Sequence, residues 1–340
     1  MKRVAVVLFN LGGPNSWLAV KPFLVNLFSD PAIIGLPQPL RWAVARWIAH
    51  RRAPLTRQIF AQIGNASPLK ANTEEQAAAL RAALGSEHRV FVAMRYWHPR
   101  AASAAAAVKV WNPSEVVLLP LYPQYSTTTT ASSVADWQLA ASKVGLKAPV
   151  RGVCCYPSEP GFIAALACLL EIELGRAPPG RKLRVLFSAH GLPKRIVERG
   201  DPYAWQVEKT AAGLRTALGR PELDSVVCYQ SRVGRLAWLE PSIEAEIRRA
   251  GADGVGVIVQ PISFVSEHSE TLVELDMDYR KLARTVGVPF YLRARTVSLA
   301  PEFIAGLARL VHAAPKAGAG GRVCPAGFTC AQSAVADEPA

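Results

Sequence analysis

The sequence predicts an α/β protein built from two Rossmann-like lobes with mostly parallel sheets. Three observations predict it. Short apolar runs recur along the chain, each followed by a Gly/Pro/Ser-rich turn and then an alanine- and leucine-rich stretch. The run Val7-Leu8-Phe9-Asn10-Leu11-Gly12-Gly13-Pro14 is echoed by Val185-Leu186-Phe187-Ser188-Ala189-His190-Gly191-Leu192-Pro193, an internal pseudo-repeat. Finally, 340 residues, 50% of them hydrophobic, supply enough apolar material for two cores.

In chain order, residues 4–9 form a continuous apolar run ending at Asn10 and a glycine-rich turn. Six residues suit a buried strand; they are too few for a secretory leader or for a bilayer span of roughly 18 residues. Residues 41–52 read as a helix with Leu40, Val44, Trp47 and Ile48 on one stripe beside basic residues. Core packing makes such a stripe, and so does a helix that lies on a membrane or covers an acidic, apolar ligand. A helix at 73–84, a strand at 89–94, a helix at 101–111 and a strand at 116–119 follow. Next comes a hydroxyl-rich loop from Tyr122 to Thr130. It can cap a helix starting near Ala131, or it can hydrogen-bond a carboxylate or phosphate. A strand at 150–154 completes the first half. The second half has helices at 162–174 and 204–218 and strands at 183–187, 225–229 and 255–259. The expected boundaries are 1–160, 161–312 and an irregular tail over 313–340, with the seam near residues 150–180, around Ala177-Pro178-Pro179-Gly180.

Lysine and arginine number 39 against 26 acidic residues, a net charge of +13 that favours an anionic partner. Nucleic acid is excluded as that partner, because the basic residues are dispersed and no binding motif is visible. The six cysteines make no CxxC pair, so a reducing, cytoplasmic compartment is expected.

Ligands of open α/β sheets sit at the carboxyl ends of strands, so the turns there are where chemistry is expected. His190 ends a strand, where an imidazole can serve structure, bind a metal or take a proton. In the segment 266–279, Glu270, Glu274 and Asp278 fall at i, i+4 and i+8 and share one face of a helix. Such a ladder is either a solvated face or a path for a cation drawn to hard oxygen ligands.

Seven stretches together resemble ferrochelatases, the enzymes that insert ferrous iron into a porphyrin. They are Leu8-Phe9-Asn10-Leu11-Gly12-Gly13-Pro14, Gly64-Asn65-Ala66-Ser67-Pro68-Leu69, Arg95-Tyr96-Trp97-His98-Pro99, Leu119-Pro120-Leu121-Tyr122-Pro123-Gln124-Tyr125-Ser126, Phe187-Ser188-Ala189-His190-Gly191-Leu192-Pro193, Tyr229-Gln230-Ser231-Arg232-Val233-Gly234 and Ser266-Glu267-His268-Ser269-Glu270-Thr271-Leu272. They occur in family order over about residues 4–312.

The resemblance implies a porphyrin cleft between the lobes, with His190 and Glu270 as catalytic and metal-handling residues facing each other across the macrocycle. It implies Glu274 and Asp278 as a metal or proton path, and Leu11, Arg95, Tyr122, Ser126, Trp238 and Phe264 as pocket positions. The expected reaction converts protoporphyrin IX and Fe²⁺ to protohaem with release of two protons. Coproporphyrin III is the alternative substrate, and a non-enzymatic haem or porphyrin carrier the alternative class. The carrier has no need of the carboxylate ladder. A monomer or homodimer, cytoplasmic and peripheral to the inner face of the membrane, fits the family. Some members hold a [2Fe–2S] cluster, which needs four thiolates. Here the ligands would be Cys154, Cys155, Cys324 and Cys330. Against this, adjacent strand residues point in opposite directions. The alternative is that Cys154, Cys155, Cys168 and Cys228 are small buried hydrophobes, which leaves the two tail cysteines without an obvious packing purpose.

Overall fold

The computed structural model describes residues 3–232, 234 and 236–314, and within them the chain divides into two units. The first holds residues up to Cys155 together with the chain from Leu307 onward; the second runs from Tyr156 to Gly306.

The first unit is built on β1 (Val4–Asn10), β2 (His88–Met94), β3 (Glu115–Pro120) and β4 (Val150–Gly152), all parallel in the order β2-β1-β3-β4. Every residue of β1 is buried, which is what a central parallel strand covered on both faces requires. Helices Leu69–Leu84, Ala101–Trp111 and Ser132–Lys143 belong to this unit. Phe9 and Trp137 meet edge-on in its core, with centroids 6.3 Å apart.

The second unit repeats the plan. Strands β5 (Leu183–His190), β6 (Ser225–Gln230), β7 (Gly256–Pro261) and β8 (Tyr291–Arg293) are parallel in the order β6-β5-β7-β8. β1 and β5 therefore hold equivalent central positions, the structural content of the sequence echo. β8 escapes the sequence reading because three residues carry no readable period.

The break between the units follows Cys155, inside the 150–180 range but ahead of its proline-rich centre. The Ala177–Gly180 turn lies inside the second unit, because helix Pro160–Arg176 packs against helix Tyr203–Leu218. Gly213 sits where an added Cβ would come within 3.2 Å of Ile163, and Thr210 donates to the Pro157 carbonyl at 2.8 Å. The end of the last helix, Pro301–Ala313, rejoins the first unit, where Arg151 donates to the Ala314 carbonyl at 2.9 Å. Most of the predicted tail, with Cys324 and Cys330, lies outside the described residues.

The stripe expected on the second helix (Gln38–Ala61) is also corrected. Its buried residues are Ala45, Ala49, Ala53 and Phe60, packed on helix Val20–Phe28, while Leu40 is 59%, Trp42 54% and Trp47 64% exposed. Alanines let the two helices approach closely and turn the tryptophans outward.

Candidate active site

In the second unit, β5 delivers His190 at its carboxyl end. Gly191 follows because an added Cβ would lie 2.7 Å from the Gln230 carbonyl oxygen and 3.3 Å from the Trp238 ring. The His190 backbone is pinned from both sides: its N–H donates to Ser263 Oγ at 3.0 Å, and Tyr203 Oη donates to its carbonyl at 3.0 Å.

The His190 ring lies directly against Glu270, with Nδ1 2.9 Å from Oε2. An ionised carboxylate only accepts, so Nδ1 carries the proton and the neutral ring presents its lone pair at Nε2. The two residues expected to face each other across the macrocycle are thus in direct hydrogen-bond contact here.

Partial burial disfavours the imidazolium, but the Glu270 charge and hydrogen bond outweigh it and raise the His190 pKa. Burial likewise opposes the Glu270 carboxylate, yet His190 and His268 hold its pKa well below the usual range. His268 is a second imidazole at Glu270, beyond the residues that the motifs single out. Its Nδ1 lies 3.0 Å from the Ser266 carbonyl, which only accepts, so Nε2 turns toward Glu270 Oε2 at 3.6 Å. Phe264 packs edge-on against both imidazoles, at 4.6 Å from His268 and 6.3 Å from His190.

Glu270, Glu274 and Asp278 share one helical segment, as expected, but its form differs. Residues Glu270–Asp278 make a π-helix, and the Tyr279 N–H bonds back to the Glu274 carbonyl. Such helices are rare and frequent at functional sites. Glu274 is half-buried and accepts from Ser231 Oγ at 2.6 Å and Gln230 Nε2 at 3.3 Å, two partners the sequence reading missed. Burial and repulsion from Glu270 push its carboxyl up to about 7. Asp278 is exposed, so the line runs from a partly buried carboxylate to solvent. Among the described residues no three His, Cys, Asp or Glu groups form a ready cage for a metal ion.

The remaining expected pocket residues make contacts within their own units. In the first unit, Arg95 donates to Ser132 Oγ at 2.7 Å and pairs with Asp30 at 2.9 Å and Asp136 at 3.5 Å. Asp30, which the sequence reading passed over, also accepts from Tyr96 Oη at 2.8 Å. Arg95→Leu should therefore strip a buried carboxylate of its cation and cost about 3–5 kcal/mol of stability. A urea midpoint equal to wild type would contradict this. Ser126 is buried and accepts from the Thr128 N–H at 3.2 Å, and Tyr122 Oη is 3.4 Å from Ser133 Oγ. The Ser126 hydroxyl is used inside the loop, as a capped turn requires, and that of Tyr122 reaches the first turn of the following helix. The loop enters a short π-helical turn, Thr127–Ala131, and the helix starts at Ser132. Leu11 packs on the first unit's core, and Trp238 bridges backbone with Pro193.

Cys154 and Cys155 are both buried and pack with Tyr125 as small apolar groups. The other two expected cluster ligands, Cys324 and Cys330, lie outside the described residues.

The family model described as Ferrochelatase matches residues 3–314. A ferrochelatase of Caulobacter vibrioides is 49% identical over 316 residues, covering 92% of this chain and 90% of the relative. That of Phenylobacterium zucineum is 50% identical over 334 residues, covering 95% and 96%. Among solved structures, the sirohydrochlorin chelatase SirB from Bacillus subtilis subspecies spizizenii, in complex with cobalt, aligns with a TM-score of 0.52. The alignment covers 92% of this chain and 94% of that one at 11% identity, a likeness of fold alone.

Proposed function

Because the chain belongs to the ferrochelatase family and inserts Fe²⁺ into a porphyrin in haem synthesis, we propose that the His190–Glu270 pair carries out the metal exchange. The observation that supports it is the 2.9 Å contact that turns the His190 Nε2 lone pair away from Glu270. Insertion must remove two pyrrole protons while iron sheds its water. His190 Nε2 accepts a proton or meets the metal, and Glu270 stabilises the imidazolium formed. Glu274 and Asp278 pass protons or iron between this pair and solvent.

Protoporphyrin IX is the proposed substrate and protohaem the product. Coproporphyrin III carries two more propionates and needs further cations. Arg95, the one cation among the expected pocket residues, is already committed to Asp30 and Asp136. Anaerobic assay with each porphyrin tests this: kcat/KM should be at least about tenfold higher for protoporphyrin IX, one such factor being worth about 1.4 kcal/mol. The reverse preference would assign the coproporphyrin reaction.

Glu274 should bind iron best as a carboxylate. Apparent Fe²⁺ affinity is then expected to rise as pH rises through about 7. His190 loses its proton on the same side of its ordinary value, so the comparison with Glu274→Gln isolates the carboxylate. That variant should show roughly tenfold weaker apparent Fe²⁺ affinity, about 1.4 kcal/mol, and a flatter pH dependence. An unchanged inflection would remove Glu274 from the iron path.

A peripheral position on the cytoplasmic face of a membrane completes the reading. No helix among the described residues is long and apolar enough to cross a membrane. Residues 1–73 contain a single acid, the buried Asp30, while Trp17, Leu18, Leu40, Trp42, Trp47 and Leu55 are exposed there. Arginines stack on the outer tryptophans, Arg46 on Trp42 at 4.8 Å and Arg51 on Trp47 at 5.8 Å. Aromatic rings and polybasic segments both favour anionic lipid surfaces. Trp42→Ser with Trp47→Ser should abolish co-sedimentation with phosphatidylglycerol vesicles while shifting Tm only a few degrees. A large fall in Tm with vesicle binding intact would make this face core instead.

A [2Fe–2S] cluster would draw its four thiolates from Cys154, Cys155, Cys324 and Cys330. Anaerobically purified protein tests it: visible absorption lost in Cys324→Ser supports a cluster, and colourless, fully active protein rules it out.

A further inference from the structure

The π-helix at Glu270–Asp278 needs a cause, because its wide turn is rarer than the α-helical turn that its sequence also permits. The cause lies on the segment's far side, in strand β8. Arg293, at the end of β8, has only 6% of its side chain exposed. It donates from Nη1 to Glu267 Oε1 at 2.6 Å, and from Nε to Asp276 Oδ1 at 3.0 Å with Nη2 on the other Asp276 oxygen. One guanidinium thus ties residue 267, just before the π-helix, to residue 276, within its last turn. Glu267 is held further by the Thr296 N–H at 3.0 Å.

Two neighbours act on the helix carbonyls themselves. Tyr291 Oη donates to the Leu275 carbonyl at 2.7 Å, and Arg280 Nε donates to the Asp276 carbonyl at 3.0 Å. Arg280 is itself anchored through Nη1 to the Tyr291 carbonyl at 2.9 Å. Carbonyls taken up by side chains tolerate the irregular hydrogen-bond ladder of a π-helix.

We propose that Arg293, supported by Tyr291, is a positioning residue that clamps both ends of this segment and so holds Glu270 and Glu274 in π register. The inference rests on the reading of those two carboxylates as the iron-handling groups. A relaxation to α-helical register would turn the side chains that follow Glu270 about the helix axis. Glu270 would stay with His190 while Glu274 lost Ser231 and Gln230. The guanidinium is suited to the task because its planar fork reaches two carboxylates at once, whereas an ammonium has no such fork.

Arg293→Lys keeps the charge and loses the fork. Tyr291→Phe keeps the ring, removes only the bond to Leu275, and serves if the first variant folds poorly. Both are measured for Fe²⁺ KM, porphyrin KM, kcat, Tm and amide hydrogen exchange across residues 270–279. The expected result is roughly tenfold faster exchange in that segment and a Fe²⁺ KM raised at least fivefold, with porphyrin KM within twofold. Unchanged exchange would overturn the clamp and leave the reading of the site intact. Equal losses of kcat and Tm with unchanged Fe²⁺ KM would overturn it too, as the mark of a purely structural residue. Faster exchange with unchanged Fe²⁺ KM also overturns it. If Glu274→Gln then leaves Fe²⁺ KM unchanged as well, the site reading has failed rather than the clamp alone.

Discussion

Replacing His190 by alanine should lower kcat for iron insertion by about 100-fold or more, the usual range for losing a positioned acid–base group. Porphyrin binding should survive, because a macrocycle is held mainly by apolar contact. The effect follows from placement. The backbone at His190 is fixed by Ser263 and Tyr203, and its Nδ1 is bound by Glu270, so Nε2 is the group free to react. No neighbour can take over, since His268 is turned to Ser266 and Glu270. Porphyrin binding by fluorescence and turnover by loss of that fluorescence separate the two effects. Wild-type turnover in the variant would remove His190 from the mechanism.

Glu270→Gln should be nearly as severe, again about 100-fold in kcat. The amide oxygen can still accept from His190 Nδ1, so the tautomer survives, but the charge that supports the imidazolium is gone. The Glu270 charge raises the His190 pKa against the effect of burial. In the variant, the residual activity should therefore show its His190 inflection at lower pH than wild type. Because the two groups titrate together, the shift belongs to the pair as a whole. A loss smaller than that of Glu274→Gln would reverse the assigned order of the carboxylates.

Much of this was legible in the sequence, for identifiable reasons. β1 and β5 are continuous apolar runs ending in glycine turns, and a central parallel strand needs both features. The ladder of Glu270, Glu274 and Asp278 was legible from spacing, because residues four apart stay near one another on a helix of either width. The π form was not legible, since it depends on Arg293, Tyr291 and Arg280 rather than on the segment itself. The 2.9 Å contact of His190 with Glu270 joins residues 80 apart and has no local signature. The basic tryptophan helix shows the limit of periodicity: its buried stripe is Ala45, Ala49, Ala53 and Phe60, not the leucine and tryptophans of the expected one. Arg95 was expected only as a pocket position, and its pairing with Asp30 and Asp136 has no local signature because both lie far away in the chain.

The central claim is that this chain inserts iron through a proton-accepting pair, and a single-turnover experiment tests it most directly. Purified protein with bound protoporphyrin IX is mixed anaerobically with Fe²⁺ in weak buffer, and porphyrin fluorescence and proton release are followed together. The account predicts that fluorescence is lost and two protons appear per porphyrin, with His190→Ala slowing both by the same factor. Fluorescence that persists in the wild-type protein, or insertion that proceeds equally fast without His190, would contradict it.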